Sequence, residues 1–156
     1  MRLAALALAV VPLQAAADLG NLGINVYGLS YHFNRTRAEE QGLDNQLNAG
    51  LGLRYRIAQD ERMAWIADAG AYHDSGRDTA VVAGVGALWR VAGGWQAGAA
   101  LAGFKSDSYN RGRAFVAPVP IAAYDFGRVT VNFVFTPRWS DVNEVATLAA
   151  WVTWWR

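Results

Sequence analysis

Few side chains in this sequence can carry chemistry. The histidines are His32 and His73, and His73 is followed directly by Asp74 and Ser75. An imidazole that accepts a proton near neutral pH, a hydroxyl it can polarise and a carboxylate that can orient either are the ingredients of acyl transfer. The same set also arises by chance among rim residues that simply face water, so spacing alone leaves both readings open. No Gly-rich phosphate loop, H-E-x-x-H helix or G-x-S-x-G elbow is present. The absence of cysteine excludes a disulfide scaffold and thiolate zinc or iron-sulfur sites, and two histidines make other metal sites poor prospects. With 14 Lys plus Arg against 13 Asp plus Glu there is no basic excess to neutralise phosphates, so no nucleic-acid partner is expected. A charged segment holds Arg35, Arg37, Glu39, Glu40 and Asp44. It reads either as solvated loop surface or as recognition of lipopolysaccharide phosphates and sugars, with Arg making fork-shaped contacts.

The elements that must position these residues are strands. At 156 residues the chain is one domain at most. Met1-Arg2, the apolar run Leu3 to Leu13 and Ala15-Ala16-Ala17 form an export signal over 1–17, leaving 18–156 as a single mature domain. The apolar run is too short, and is interrupted by Pro12, for a retained anchor. Beyond it, strands are predicted at 20–32, 46–58, 63–72, 79–91, 95–104, 115–126, 128–137 and 144–155. In Val129 to Phe135 the odd positions are apolar, with Thr130 and Asn132 between them, which is the two-residue period of a strand with unlike faces. The last segment is Ala-rich enough for a helix, but its Val, Thr and Trp content and its place after seven strands favour closure.

Connections after the first, third, fifth and seventh strands are longer or more polar than those between, which is the alternation of external loops and periplasmic turns. The expected fold is all-β, an eight-stranded antiparallel up-and-down transmembrane β-barrel, because backbone groups cannot stay unpaired in hydrocarbon. A water-soluble barrel of lipocalin type is the alternative, but the charges gather in loops and at strand ends. Tyr27, Tyr31, Trp89, Trp95, Tyr124, Trp139, Trp151, Trp154 and Trp155, near strand ends, are expected in interfacial girdles. Both histidines fall at the long-loop rim. Pro118 and Pro120 in the sixth strand cannot donate ladder hydrogen bonds, which predicts a local break in pairing.

Over essentially the whole mature chain after its opening residues, the sequence resembles the lipid A palmitoyltransferase (PagP) family. The likeness is carried by Ser30-Tyr31-His32-Phe33-Asn34-Arg35, Ala71-Tyr72-His73-Asp74-Ser75, Ala83-Gly84-Val85-Gly86-Ala87-Leu88-Trp89-Arg90 and Ala117-Pro118-Val119-Pro120-Ile121, with Pro137 later. The resemblance implies an outer-membrane acyltransferase that moves a palmitoyl chain from the sn-1 position of a glycerophospholipid to lipid A, without metal or cofactor. Its essential residues correspond to His32, Asp74 and Ser75. His32 would be the general base, Asp74 would orient or stabilise the imidazolium, and Ser75 would stabilise the carbonyl oxygen or act as nucleophile. His73 has no counterpart among them. The resemblance further implies Gly86 as the floor of an acyl pocket, so that an added methyl favours a shorter chain. Pro118 and Pro120 would border a lateral gate and Pro137 a second one.

Three features depart from the family: Asn25-Val26-Tyr27-Gly28 replaces a proline before the essential histidine, no amphipathic helix precedes the first strand, and the chain ends Trp154-Trp155-Arg156 rather than on an aromatic. Expected partners are membrane phospholipid, lipid A and the outer-membrane insertion machinery, and a monomer is expected. A phospholipase or lipid A deacylase using water, and a noncatalytic structural or ligand-binding barrel, are the competing functions.

Overall fold

Eight strands appear at Leu22–His32 (β1), Leu47–Gln59 (β2), Met63–His73 (β3), Thr79–Ala92 (β4), Trp95–Lys105 (β5), Phe115–Asp125 (β6), Val129–Thr136 (β7) and Thr147–Trp155 (β8). They belong to a computed structural model that describes residues 19–139 and 142–156. The signal segment expected over 1–17 lies outside the described residues. Each strand pairs antiparallel with its sequence neighbours, and β8 pairs with β1, so the sheet closes into an up-and-down barrel. The largest displacement from expectation is at the last strand, which begins at Thr147 rather than 144. Its Ala-rich start gives way to Val, Thr and Trp, whose branched and aromatic side chains suit a pleated wall.

The long connections, 33–46, 74–78, 106–114 and 137–146, share one end of the barrel, and the short turns at 60–62, 93–94 and 126–128 share the other. Gly93 and Gly127 take φ of 56° and 90° in two of these turns, a region that side chains with a Cβ resist. The long-loop end carries the short helix α1, Arg35–Glu40, capped by Asn34, whose side chain accepts from the Arg37 amide.

Period-two alternation sorts the residues into opposite populations. Ile24, Leu51, Trp65, Val85, Leu101, Val116, Phe135 and Leu148, one from each strand, are large apolar side chains exposed on the outside. Inside, towards the short-turn end, lie polar groups. Arg54, fully buried, forks onto Asp68 at 2.8 and 2.9 Å and donates to Asn132 Oδ1 at 2.6 Å. Asn132 Nδ2 donates to Thr153 Oγ1 at 2.9 Å, Thr153 donates to Asn25 Oδ1 at 2.7 Å, and Asn25 Nδ2 returns to Asp68 at 3.0 Å. Trp155 Nε1 donates to Thr130 at 2.8 Å. This ring of satisfied hydrogen bonds fills the lower interior as a plug.

Three expected girdle aromatics belong inside instead. Tyr27 and Trp151 line an interior cavity and Trp155 is buried against Thr130. Their phase explains it: Trp151 and Trp155 alternate with Trp154 and share a face with buried Thr153. Tyr31, Trp89, Trp95, Trp139 and Trp154 are exposed, and so is Trp65.

Beside the plug Ile66, Leu88 and Ile121 pack into a buried apolar cluster with Ala100 and Val134 against it. One seam of the wall opens above this level. The β6–β7 ladder runs only from Asp125–Thr130 to Ile121–Val134, whereas β5–β6 continues to Phe104–Phe115 and β7–β8 to Thr136–Thr147. Residues 115–120 of β6, which include Pro118 and Pro120, have no ladder partner on β7 among the described residues. The break predicted from the prolines is present.

Candidate functional site

His32 owes its orientation to a break in the register of β1. The pairing of β1 with both β2 and β8 shifts register between Tyr27 and Leu29, which makes Gly28 a bulge. Asn25 and Tyr27 are in phase on the interior before it; Ser30 and His32 are in phase after it, 8% and 3% exposed. Without the bulge the alternation would turn Leu29 and Tyr31 inward and His32 out. His73, at the end of β3, falls on the opposite phase from Tyr72 and is exposed.

The interior at the long-loop end is a cavity of about 330 Å³. Its walls are apolar for most of their depth, from Val82, Ala100, Phe104, Val119 and Ile121 to Val134, and its mouth holds His32, Asn48, Ser75 and Tyr109. Three buried polar atoms on this lining have no hydrogen-bond partner among the described residues: His32 Nδ1, Asn48 Oδ1 and Trp151 Nε1. Asn48 Nδ2 donates to the His73 carbonyl at 3.0 Å, which fixes the amide with its oxygen unmatched. Buried polar groups are nearly always paired, so unmatched ones along a cavity are free to bond whatever occupies it, water included.

Asp74 is wholly buried and does not bond to His32. Its Oδ1 accepts from the amides of Gly76 (2.9 Å) and Asp78 (3.0 Å) and shares the Ser108 hydroxyl (3.0 Å) with Asp78 Oδ2 (2.8 Å), and its Oδ2 accepts a short hydrogen bond from Ser106 Oγ. The carboxylate is thus engaged by its own turn and by the third long loop, and it makes no hydrogen bond to the His32 ring. Ser75, 4% exposed, follows it with its side chain on the cavity and its carbonyl accepting from the Asn45 amide at 3.1 Å. His32 and Ser75 therefore share one mouth, and Asp74 stands behind Ser75.

The long loops are latched around this mouth. Arg77 forks onto Asp44 at 2.8 and 3.0 Å, joining the first and second loops, and Arg37 meets Glu144 at 2.7 Å, joining the first and fourth. Arg77 takes φ of 69°, a left-handed conformation costly for a residue with a Cβ, and its amide donates to the Asp74 carbonyl at 3.1 Å. The Arg77 guanidinium holds the Asp44 carboxyl below its ordinary range, and Arg37 does the same for Glu144. Burial, reinforced by the Asp74 charge, pushes the Tyr109 phenol up, so it stays protonated beside Ser75 and Tyr72.

The other expected site residues are dispersed. Arg35 is exposed on α1, whereas Arg37 of the same helix is tied to Glu144. Gly86 is buried opposite Ile66 and Ala100, one inward position below Gly84; Gly84 and Ala100 line the cavity and Gly86 does not. A Cβ on Gly86 would meet Ala99 O at 2.7 Å and Ala100 Cβ at 2.8 Å, so this glycine serves close approach of β4 and β5. Pro137 directly follows β7 and lines the cavity with Pro118, so it borders the same seam as Pro118 and Pro120 rather than a second one. β1 and β2 stay paired from Leu22–Tyr55 to Leu29–Leu47.

Sequence reasoning missed Asn45, Asn48, Ser106, Ser108 and Tyr109. Asn48 carried a usable signal, since it falls in phase with buried Arg54 on β2. The loop serines carried none, being joined to Asp74 across more than thirty residues. Compared with known proteins, the chain matches no family model and no curated protein.

Proposed function

We propose that this barrel resides in the outer membrane and transfers a palmitoyl chain from the sn-1 position of a glycerophospholipid to a hydroxyl of lipid A. The observation that carries the reading is the buried His32, with an unmatched ring nitrogen, sharing with Ser75 the polar mouth of an apolar cavity. The cavity suits one hydrocarbon chain, and the mouth suits the ester at its head. The β6 segment that lacks a β7 partner, beside Pro118 and Pro137, offers a sideways route for a chain still anchored in a bilayer. The membrane setting is supported by large apolar side chains facing outward on all eight strands, over a ladder that closes on itself.

In the reaction, neutral His32 takes the proton of the acceptor hydroxyl as its oxygen attacks the sn-1 carbonyl carbon. The ester C–O bond then breaks, and the glycerol oxygen leaves with that proton as lysophospholipid. Ser75 donates a hydrogen bond to the carbonyl oxygen as it gains charge; if a covalent intermediate forms, Ser75 is acylated first and the acceptor hydroxyl releases it.

The test is incubation of the refolded full chain in detergent with dipalmitoyl phospholipid and lipid A, followed by mass spectrometry of both. A palmitoyl gain on lipid A with matching lysophospholipid is expected. Lysophospholipid with free fatty acid would make it a hydrolase, and two unchanged lipids over a folded barrel would make it noncatalytic.

A further inference from the structure

The hydrogen bonds of Asp74 give it a different task from the one its position beside Ser75 suggests. A carboxylate that orients a catalytic imidazole must spend an oxygen on the ring N–H. Both oxygens here are spent elsewhere: Oδ1 on two amides of the turn and on Ser108, Oδ2 on Ser106. The backbone of Asp74 is equally occupied, its amide donating to the Asp78 carbonyl at 2.9 Å and its carbonyl accepting from Asn45 Nδ2 at 2.9 Å and the Arg77 amide. Ser106, 2% exposed, is itself held, since its Oγ accepts from the Ser108 amide at 3.1 Å. His32 Nδ1 meanwhile has no hydrogen-bond partner among the described residues.

We infer that Asp74 is a positioning residue that fixes the 74–78 turn, and with it Ser75, against the cavity mouth, and that Ser106 is a second positioning residue that clamps Asp74 from the third loop. As a statement about transfer this rests on the proposed function. As a statement about contacts it stands alone, so it is tested first by measurements that need no turnover.

The experiment is nuclear magnetic resonance of the full chain in micelles, following the His32 ring through a pH titration in wild type and Asp74→Asn, and amide exchange at Gly76 and Asp78 in wild type and Ser106→Ala. Asparagine keeps an oxygen for the turn amides and presents an N–H to Ser106 Oγ, so the His32 titration is expected to stay where it is in wild type. Loss of the Ser106 donor leaves a buried carboxylate oxygen unmatched, and exchange at Gly76 and Asp78 is expected to rise about tenfold or more. A His32 titration displaced in Asp74→Asn, or unchanged exchange in Ser106→Ala, would overturn the inference. If Asp74→Asn does not fold, the Ser106→Ala exchange decides alone. Where transfer is measurable, Asp74→Asn is expected to retain turnover within about tenfold, with the acidic limb of its pH profile in place, and Ser106→Ala to lose kcat at unchanged KM. Abolished turnover with a moved acidic limb in Asp74→Asn would return Asp74 to the role of imidazole partner. Absence of transfer in wild type would refute the proposed function and leave the exchange and titration results standing.

Discussion

The interior of this barrel is two rooms built on opposite rules. Towards the short turns Arg54, Asp68, Asn25, Asn132 and Thr153 close a circuit in which donors meet acceptors. Towards the long loops the walls are apolar, and His32, Asn48 and Trp151 each present a polar atom with no partner among the described residues. Burying unmatched polar groups costs stability, and so does leaving a cavity unfilled. The lower room satisfies its polar groups within the barrel, and the upper room leaves some of them unmatched around a cavity.

The sharpest way to separate the rooms is to strike each in turn. His32→Ala is expected to lower transfer by roughly 10²–10⁴, the usual contribution of a general base, while its unfolding midpoint in denaturant stays near that of wild type. Arg54→Met should do the reverse. It leaves the Asp68 carboxylate without its buried partner and should cost about 3–5 kcal/mol in unfolding titrations, while protein that remains folded keeps its turnover. A stable Arg54→Met barrel would mean the plug is not what holds the structure.

Gly86→Ala acts at the boundary. Its methyl must push Ala99 and Ala100 of β5, so a loss of about 1–3 kcal/mol is expected, and because Ala100 lines the cavity the preferred acyl chain should shorten. A folded Gly86→Ala protein with an unchanged product distribution in a chain-length series would remove Gly86 from the control of depth. Trp155→Phe deletes one donor to Thr130 and should cost about 1 kcal/mol by the same titration, with no change in product. Smallest is the latch between Asp44 and Arg77. Because the fork lowers the Asp44 pKa on folding, its stabilisation is complete at neutral pH and fades as pH falls through that lowered value. Loop exchange rates compared between wild type and Asp44→Asn should therefore converge only in strong acid.

Most of the frame was readable from the chain because a wall between two unlike environments repeats every second residue. Val129 to Phe135 shows this plainly, with Thr130 and Asn132 buried where the pattern put them on the minority face. The bulge at Gly28 had a trace too: Ile24 and Val26 are two apart, Leu29 and Tyr31 are two apart, and the gap between the pairs is three. Reading that slip would have turned His32 inward from the sequence alone. Trp151 and Trp155 were assigned to the rim because composition marks an aromatic for an interface, whereas phase with Thr153 places both inside. The clamp of Ser106 and Ser108 on Asp74 left no trace, since loop residues have no period and closure of the barrel alone brings them together.

The most direct test sets wild type beside His32→Ala in one lipid incubation, with lipid A and phospholipid read by mass spectrometry and each barrel shown to be folded by its heat-dependent mobility. The expected result is palmitoylated lipid A and lysophospholipid in equal amounts from wild type and neither from His32→Ala. Equal product from a folded His32→Ala barrel would contradict the assignment of chemistry to the upper room.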